Sequence, residues 1–143
     1  MPTVSRSALI MHSVREMYDL VADVESYPEF LPWCSDARIV RQEGEVIEAS
    51  LSLAKGALSY EFATRNRMVP DESIDMQLLE GPFSRLSGGW SFKALGDEGC
   101  KVSLDLDFEL SSKLLQATVG PVFGKAMNKM VEAFCQRAEQ IYG

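Results

Sequence analysis

One change of period limits what this chain can become. From about residue 35 to residue 110, apolar side chains recur at every second position, the repeat of strands with one face buried. Val102, Leu104, Leu106, Phe108 and Leu110 alternate with Ser103, Asp105, Asp107 and Glu109 in the cleanest of these runs. Leu58, Tyr60 and Phe62 alternate with Ser59, Glu61 and Ala63, and Ile74, Met76 and Leu78 with Asp75 and Gln77. The repeat then lengthens to three and four: Leu115, Val119, Phe123, Met127, Met130, Phe134, Ala138 and Ile141, with Lys125, Lys129, Glu132, Arg137 and Glu139 on the other face. This predicts an amphipathic helix of about 30 residues, ~45 Å long. A series of strands followed by one long helix has a single economical packing. The sheet covers its apolar face with that helix, and curves to do so.

The segment before the strands is mixed. Residues 3–11 read as a strand, with Val4, Ala8 and Ile10 on one face. Ser13 is a candidate helix N-cap, and Glu16, three residues on, completes a capping box. Met17, Leu20, Val21 and Val24 then follow at helical spacing, giving a short helix over roughly 13–24 until Pro28 and Pro32 stop it. Short connections at Gly44, Gly56, Pro70-Asp71, Gly81-Pro82 and Gly96-Asp97-Glu98-Gly99 predict hairpins and an antiparallel sheet. Gly88-Gly89 is followed by strand residues rather than a helix, so it reads as a bulge or a close backbone approach, not a phosphate loop. Gly120-Pro121 falls inside the last helix, where a kink is expected in preference to a split into two helices.

Acid–base chemistry is scarce. The one histidine, His12, lies at the junction of the first strand and helix, and reads as a turn residue. No serine or cysteine stands in a nucleophile elbow. Cys34, Cys100 and Cys135 are widely spaced, so they read as free thiols and not as a zinc site. Asp105, Asp107 and Glu109 read as the wet face of a strand, not as metal ligands. No metal and no cofactor are expected. A length of 143 residues suits one domain, and the chain has neither a run of apolar residues long enough to span a membrane nor a signal-peptide pattern. The expected location is the cytoplasm. A net charge of −7 opposes binding to DNA, RNA or anionic lipid unless a local patch overrides it.

Two segments place rings where proline and glycine force turns: Tyr27-Pro28-Glu29-Phe30-Leu31-Pro32-Trp33 and Gly81-Pro82-Phe83-Ser84-Arg85-Leu86-Ser87-Gly88-Gly89-Trp90. Rings held in this way wall a pocket or cap a core. With the adaptable methionines on the helix face, they suit an apolar ligand. Tyr27, Phe30, Leu31, Trp33, Met76, Phe83, Trp90, Phe123, Met127 and Met130 are the candidate lining.

The first segment, continued to Cys34, resembles the YPxFLPxC signature of the family of bacterial ribosome-association toxins (RatA) and coenzyme Q-binding proteins. Gly81-Pro82-Phe83, Leu86 and Gly89-Trp90 are similar to that family's GPFxxLxGxW segment, and Asp107-Phe108-Glu109 and Val122-Phe123 also match. The resemblance implies an α+β, START-like helix-grip fold. In it a curved antiparallel sheet of six to seven strands wraps a long C-terminal helix, with two short helices after the first strand. It further implies binding of ubiquinone or a similar polyprenyl lipid in the sheet–helix cavity, in support of respiration. The alternative it implies is binding of the large ribosomal subunit, blocking subunit joining. The wider superfamily also carries the name polyketide cyclase, which makes a small cyclase-type enzyme the third and least favoured alternative, since no catalytic residues support it here. For ribosome contact the candidates are Arg65, Arg67 and Arg85. A monomer is expected, with at most peripheral membrane contact.

Overall fold

The computed structural model describes residues 3–97 and 99–143. Met1 and Pro2 of the N-terminal segment, and Glu98 of the expected turn at 96–99, lie outside the described residues. Strand β1 (Thr3–Ile10) leads into helix α1 (Val14–Ala22) and a 3-10 turn (Val24–Glu29). Six further strands follow: β2 (Cys34–Glu43), β3 (Val46–Lys55), β4 (Leu58–Val69), β5 (Ser73–Glu80), β6 (Phe83–Leu95) and β7 (Gly99–Leu110). The chain ends in helix α2 (Lys113–Tyr142).

The capping box read from the sequence starts α1. The Glu16 N–H donates to Ser13 Oγ (3.1 Å), and the Ser13 N–H donates to Glu16 Oε1 (3.2 Å). Helix α1 ends earlier than the spacing predicted, at Ala22. Val24 begins a tighter turn instead, because Pro28 has no N–H to continue an α-helix. Ser112 caps α2, accepting from the Leu115 N–H at 3.1 Å. Helix α2 runs unbroken through Gly120 and Pro121, so it does not split there. Its apolar stripe continues on both sides of the proline, with Val119, Phe123, Met127, Met130 and Phe134 all buried.

All seven strands join one antiparallel sheet in the order β1-β7-β6-β5-β4-β3-β2. Each hairpin adds a strand beside the last, and β1 closes onto β7 at the far edge. In β7 the even positions from Val102 to Leu110 are buried, and Asp105, Asp107 and Glu109 are exposed, as their alternation required. The inner face wraps α2, and Phe62, Phe83 and Phe108 all pack edge-on against Phe123, with centroids 4.8–5.7 Å away. Such edge contacts suit the ring quadrupoles and fix the helix against the sheet.

Gly88 and Gly89 form the expected close approach. A Cβ on Gly88 would stand 2.1 Å from the Asp105 carbonyl oxygen, and one on Gly89 would stand 2.1 Å from that of Ile74. Gly88 also has φ +133°, which L side chains rarely adopt. The backbones of β5, β6 and β7 can therefore crowd together here only because β6 carries no side chain at these two positions.

Candidate functional site

Between α2 and the inner sheet face lies a cavity of about 50 Å³. That is more than the ~10–15 Å³ of accessible space that one water needs. Three surfaces meet there. Helix α2 supplies Phe123, Met127 and Met130; the central strands supply Phe62, Met76, Leu86, Trp90, Leu104 and Leu106; the 3-10 turn supplies Val24 and Tyr27. The wall is almost wholly apolar.

Two polar side chains interrupt it. Thr64 and Asn66 stand two apart on β4, so both point inward, and both are buried. The Thr64 hydroxyl donates to Asn66 Oδ1 at 2.7 Å. The Asn66 amide nitrogen has no acceptor among the described residues. Its two N–H groups are donors this cavity offers a guest. The Tyr27 hydroxyl is committed elsewhere, donating to the Val21 carbonyl, and burial drives its pKa upward.

Of the ten lining residues expected from the sequence, Tyr27, Met76, Trp90, Phe123, Met127 and Met130 reach the cavity. Phe30, Leu31, Trp33 and Phe83 do not. Phe30 packs edge-on to Tyr27 and Phe134 under the Arg137 guanidinium, which sits 5.0 Å from its ring centre. Leu31 is core, and Phe83 sits between Phe62, Phe108 and Phe123. Both aromatic segments thus split: one ring of each, Tyr27 and Trp90, borders the cavity, Phe30 and Phe83 pack in the core around it, and Trp33 lies apart. Thr64 and Asn66 are not foreseen from the sequence, although the alternation of Tyr60 and Phe62 runs straight on into them.

Trp33 lies elsewhere. Its carbonyl accepts from the Ala54 N–H at 2.9 Å, which anchors it beside the end of β3. There it helps wall an open groove of about 350 Å³ with Pro32, Ala54, Lys55, Gly56, Val122, Lys125, Ala126 and Lys129. The Trp33 indole N–H is buried without an acceptor among the described residues.

The expected ribosome-contact arginines stand on the outer sheet face among carboxylates. Arg65 pairs with Glu48 (3.0 Å) and Arg67 with Glu45 (3.4 Å). Arg85 is half-buried and lies opposite Glu109 in the β6–β7 register. His12 is buried between Glu16 (3.5 Å) and Glu139 (3.0 Å), where it ties the start of α1 to the end of α2, and it does not line the cavity. Cys34 and Cys100 are buried and Cys135 half-buried, all as free thiols. Burial pushes the Cys34 thiol up to about 11. Among the described residues no cluster of three His, Cys, Asp or Glu side chains could hold a metal, and no helix is long and apolar enough to cross a membrane.

The polyketide cyclase / dehydrase and lipid transport family matches residues 10–135. The ribosome association toxin RatA of Pseudomonas aeruginosa is 51% identical over 140 residues, covering 98% of this chain and 97% of its own. The coenzyme Q-binding protein COQ10 homolog B of Xenopus laevis is 28% identical, covering 97% of this chain and 59% of its own. Among solved structures, an 18 kDa protein of Caulobacter crescentus is 34% identical with a TM-score of 0.77, covering 100% of this chain and 99% of that one. The chain belongs to the polyketide cyclase / dehydrase and lipid transport family, and within it to the group of RatA and coenzyme Q-binding proteins.

Proposed function

We propose that this family member binds an apolar ligand bearing a carbonyl oxygen, ubiquinone or a related polyprenyl lipid, between α2 and the sheet, without catalysing a reaction on it. The observation that carries the reading is an apolar cavity with a single polar pair, Thr64–Asn66, in its wall. A quinone carbonyl accepts hydrogen bonds and donates none. The unpartnered Asn66 amide is the complementary group, and the apolar wall matches the rest of such a molecule. Each buried methylene adds ~0.8 kcal/mol, so a prenyl tail contributes affinity without further polar contacts.

The cavity, at about 50 Å³, is smaller than the ~300–1,000 Å³ of ordinary ligand sites. Entry therefore requires the wall to yield. Met76, Met127 and Met130 are its flexible members, and unbranched thioether chains change rotamer at low cost. Phe30, Leu31 and Phe83 pack behind the wall without lining it. No metal or further cofactor has a part in this reading, which takes the protein as a cytoplasmic monomer with at most peripheral membrane contact.

Native mass spectrometry after gentle extraction from the host tests the proposal. A bound quinone or prenyl lipid, reduced in an Asn66→Leu protein and absent from a Met127→Lys protein, both still folded, is the expected result. Protein that carries no such mass, and takes up none when a short-chain ubiquinone is added, overturns it.

The second reading is association with the ribosome, favoured by the full-length similarity to the P. aeruginosa toxin. It requires a positive surface on a chain of net charge −7. Arg65, Arg67 and Arg85 are candidates, but the carboxylates beside Arg65 and Arg67 offset their charge. Co-sedimentation with purified large ribosomal subunits at low and raised salt tests this reading.

A further inference from the structure

The groove beside α2 collects cations without carboxylates. Lys125 and Lys129 are one helical turn apart on the exposed flank of α2, and Lys55 ends β3 across from them. None of the three makes an ion pair with a carboxylate among the described residues, whereas Arg65 and Arg67 each do. Lys125 first, and then burial and Lys129, lower the Lys55 pKa, so the ammonium groups are close enough to repel. Three like charges kept together on an acidic protein favour an anionic guest. The groove's volume of about 350 Å³ falls in the range of small-ligand sites, ~300–1,000 Å³.

The surroundings narrow the class of anion. Pro32 and the half-buried Trp33 give the groove an apolar wall beside its charges. Cations next to an aromatic ring suit a nucleotide chain, whose phosphates meet the ammonium groups while a base or ribose meets the ring. A membrane surface would need apolar side chains projecting around the cations. The most open ones, Leu9, Met11 and Leu114, do not line the groove.

We propose that Lys55, Lys125 and Lys129, with Trp33, form a binding site for the phosphodiester backbone of ribosomal RNA. The site deepens the ribosome reading above, on which it rests, and moves the contact from the outer sheet face to the flank of α2. It is separate from the apolar cavity, because Lys125 and Lys129 point away from the face that carries Phe123, Met127 and Met130.

The test compares wild type, a Lys55→Gln/Lys125→Gln/Lys129→Gln protein and an Arg65→Gln/Arg67→Gln protein. Each is titrated with purified large ribosomal subunits, a fluorescein-labelled single-stranded RNA oligonucleotide, and vesicles of phosphatidylcholine with phosphatidylglycerol, at several salt concentrations. The lysines are exposed, so the triple substitution leaves the fold intact, which circular dichroism verifies. The triple lysine protein should bind both RNA probes more than ~10-fold more weakly. Its salt slope should fall by about 2, at roughly 0.7–0.9 for each phosphate no longer neutralised. The arginine protein should bind like wild type. Wild type that binds the oligonucleotide through these lysines but not the subunits supports the site and removes the ribosome reading. Subunit binding unchanged in the triple lysine protein overturns the site and leaves that reading standing. Binding to vesicles alone, or to none of the three probes, overturns the site as well.

Discussion

One helix serves two regions of opposite chemistry. The inner face of α2 closes an apolar cavity with Phe123, Met127 and Met130, while its flank carries Lys125 and Lys129 beside an open groove. Met127 and Lys125 are two residues apart, about 200° around the helix. The proposed quinone binding would be driven by burial and insensitive to salt; the proposed RNA binding would be driven by charge and weakened by salt. On those two proposals, one fold could serve both names carried by its relatives, ribosome association and coenzyme Q binding.

The largest effect that would break the comparison is structural. Phe123 is fully buried against three other phenylalanines. Phe123→Ala should cost ~3–5 kcal/mol, measured by urea denaturation. A cost below about 1 kcal/mol would mean that the cavity side is already loose. Gly89→Ala forces a Cβ into the Ile74 carbonyl, so β5 or β6 must shift. A destabilisation of ~1–3 kcal/mol or more is expected, with the fold otherwise retained.

Asn66→Leu sharpens the comparison at smaller energetic cost. It removes the cavity's free donor and leaves the Thr64 hydroxyl without its acceptor, a penalty of ~1–3 kcal/mol in stability. Quinone affinity should fall about tenfold, the worth of one hydrogen bond of ~1.4 kcal/mol, and RNA binding should stay the same. Isothermal titration of both ligands reads the two effects separately.

The long periods were legible in the sequence, and the functional groups within them were only partly so. Alternation fixed β7, the Ser13/Glu16 pattern fixed the start of α1, and the stripe from Val119 to Phe134 fixed the buried face of α2. Periodicity assigns a side chain to the interior, but it does not separate a cavity wall from solid core. Phe83 and Met76 both face inward, yet only Met76 reaches the open space. Thr64 and Asn66 continue the inward series of β4, but polar side chains do not register in a hydrophobic repeat. The lysine groove joins Lys55 to residues 70 and 74 positions later in the chain, through a hairpin and a helix that meet only after folding. Local pattern holds no record of that meeting.

The smallest effect lies at Cys34. Its thiol is protonated in the folded state up to about pH 11, because burial raises its pKa from 9.0. Its contribution to stability is complete below pH 9 and is lost as the pH rises from 9 to about 11, where the unfolded thiol ionises and the folded one does not. Thermal melts across that range should show the decline, and a Cys34→Ser protein should show less of it.

The two tryptophans give the most direct test, since Trp90 borders the cavity and Trp33 the groove. A Trp33→Phe protein leaves Trp90 as the only indole, and it removes the buried N–H that lacks an acceptor. Titrated with a short-chain ubiquinone, this protein should show saturable quenching of Trp90 fluorescence, unchanged by added salt and abolished by Met127→Lys. Quenching that never saturates, or that survives Met127→Lys in a folded protein, would contradict a quinone site between the sheet and α2.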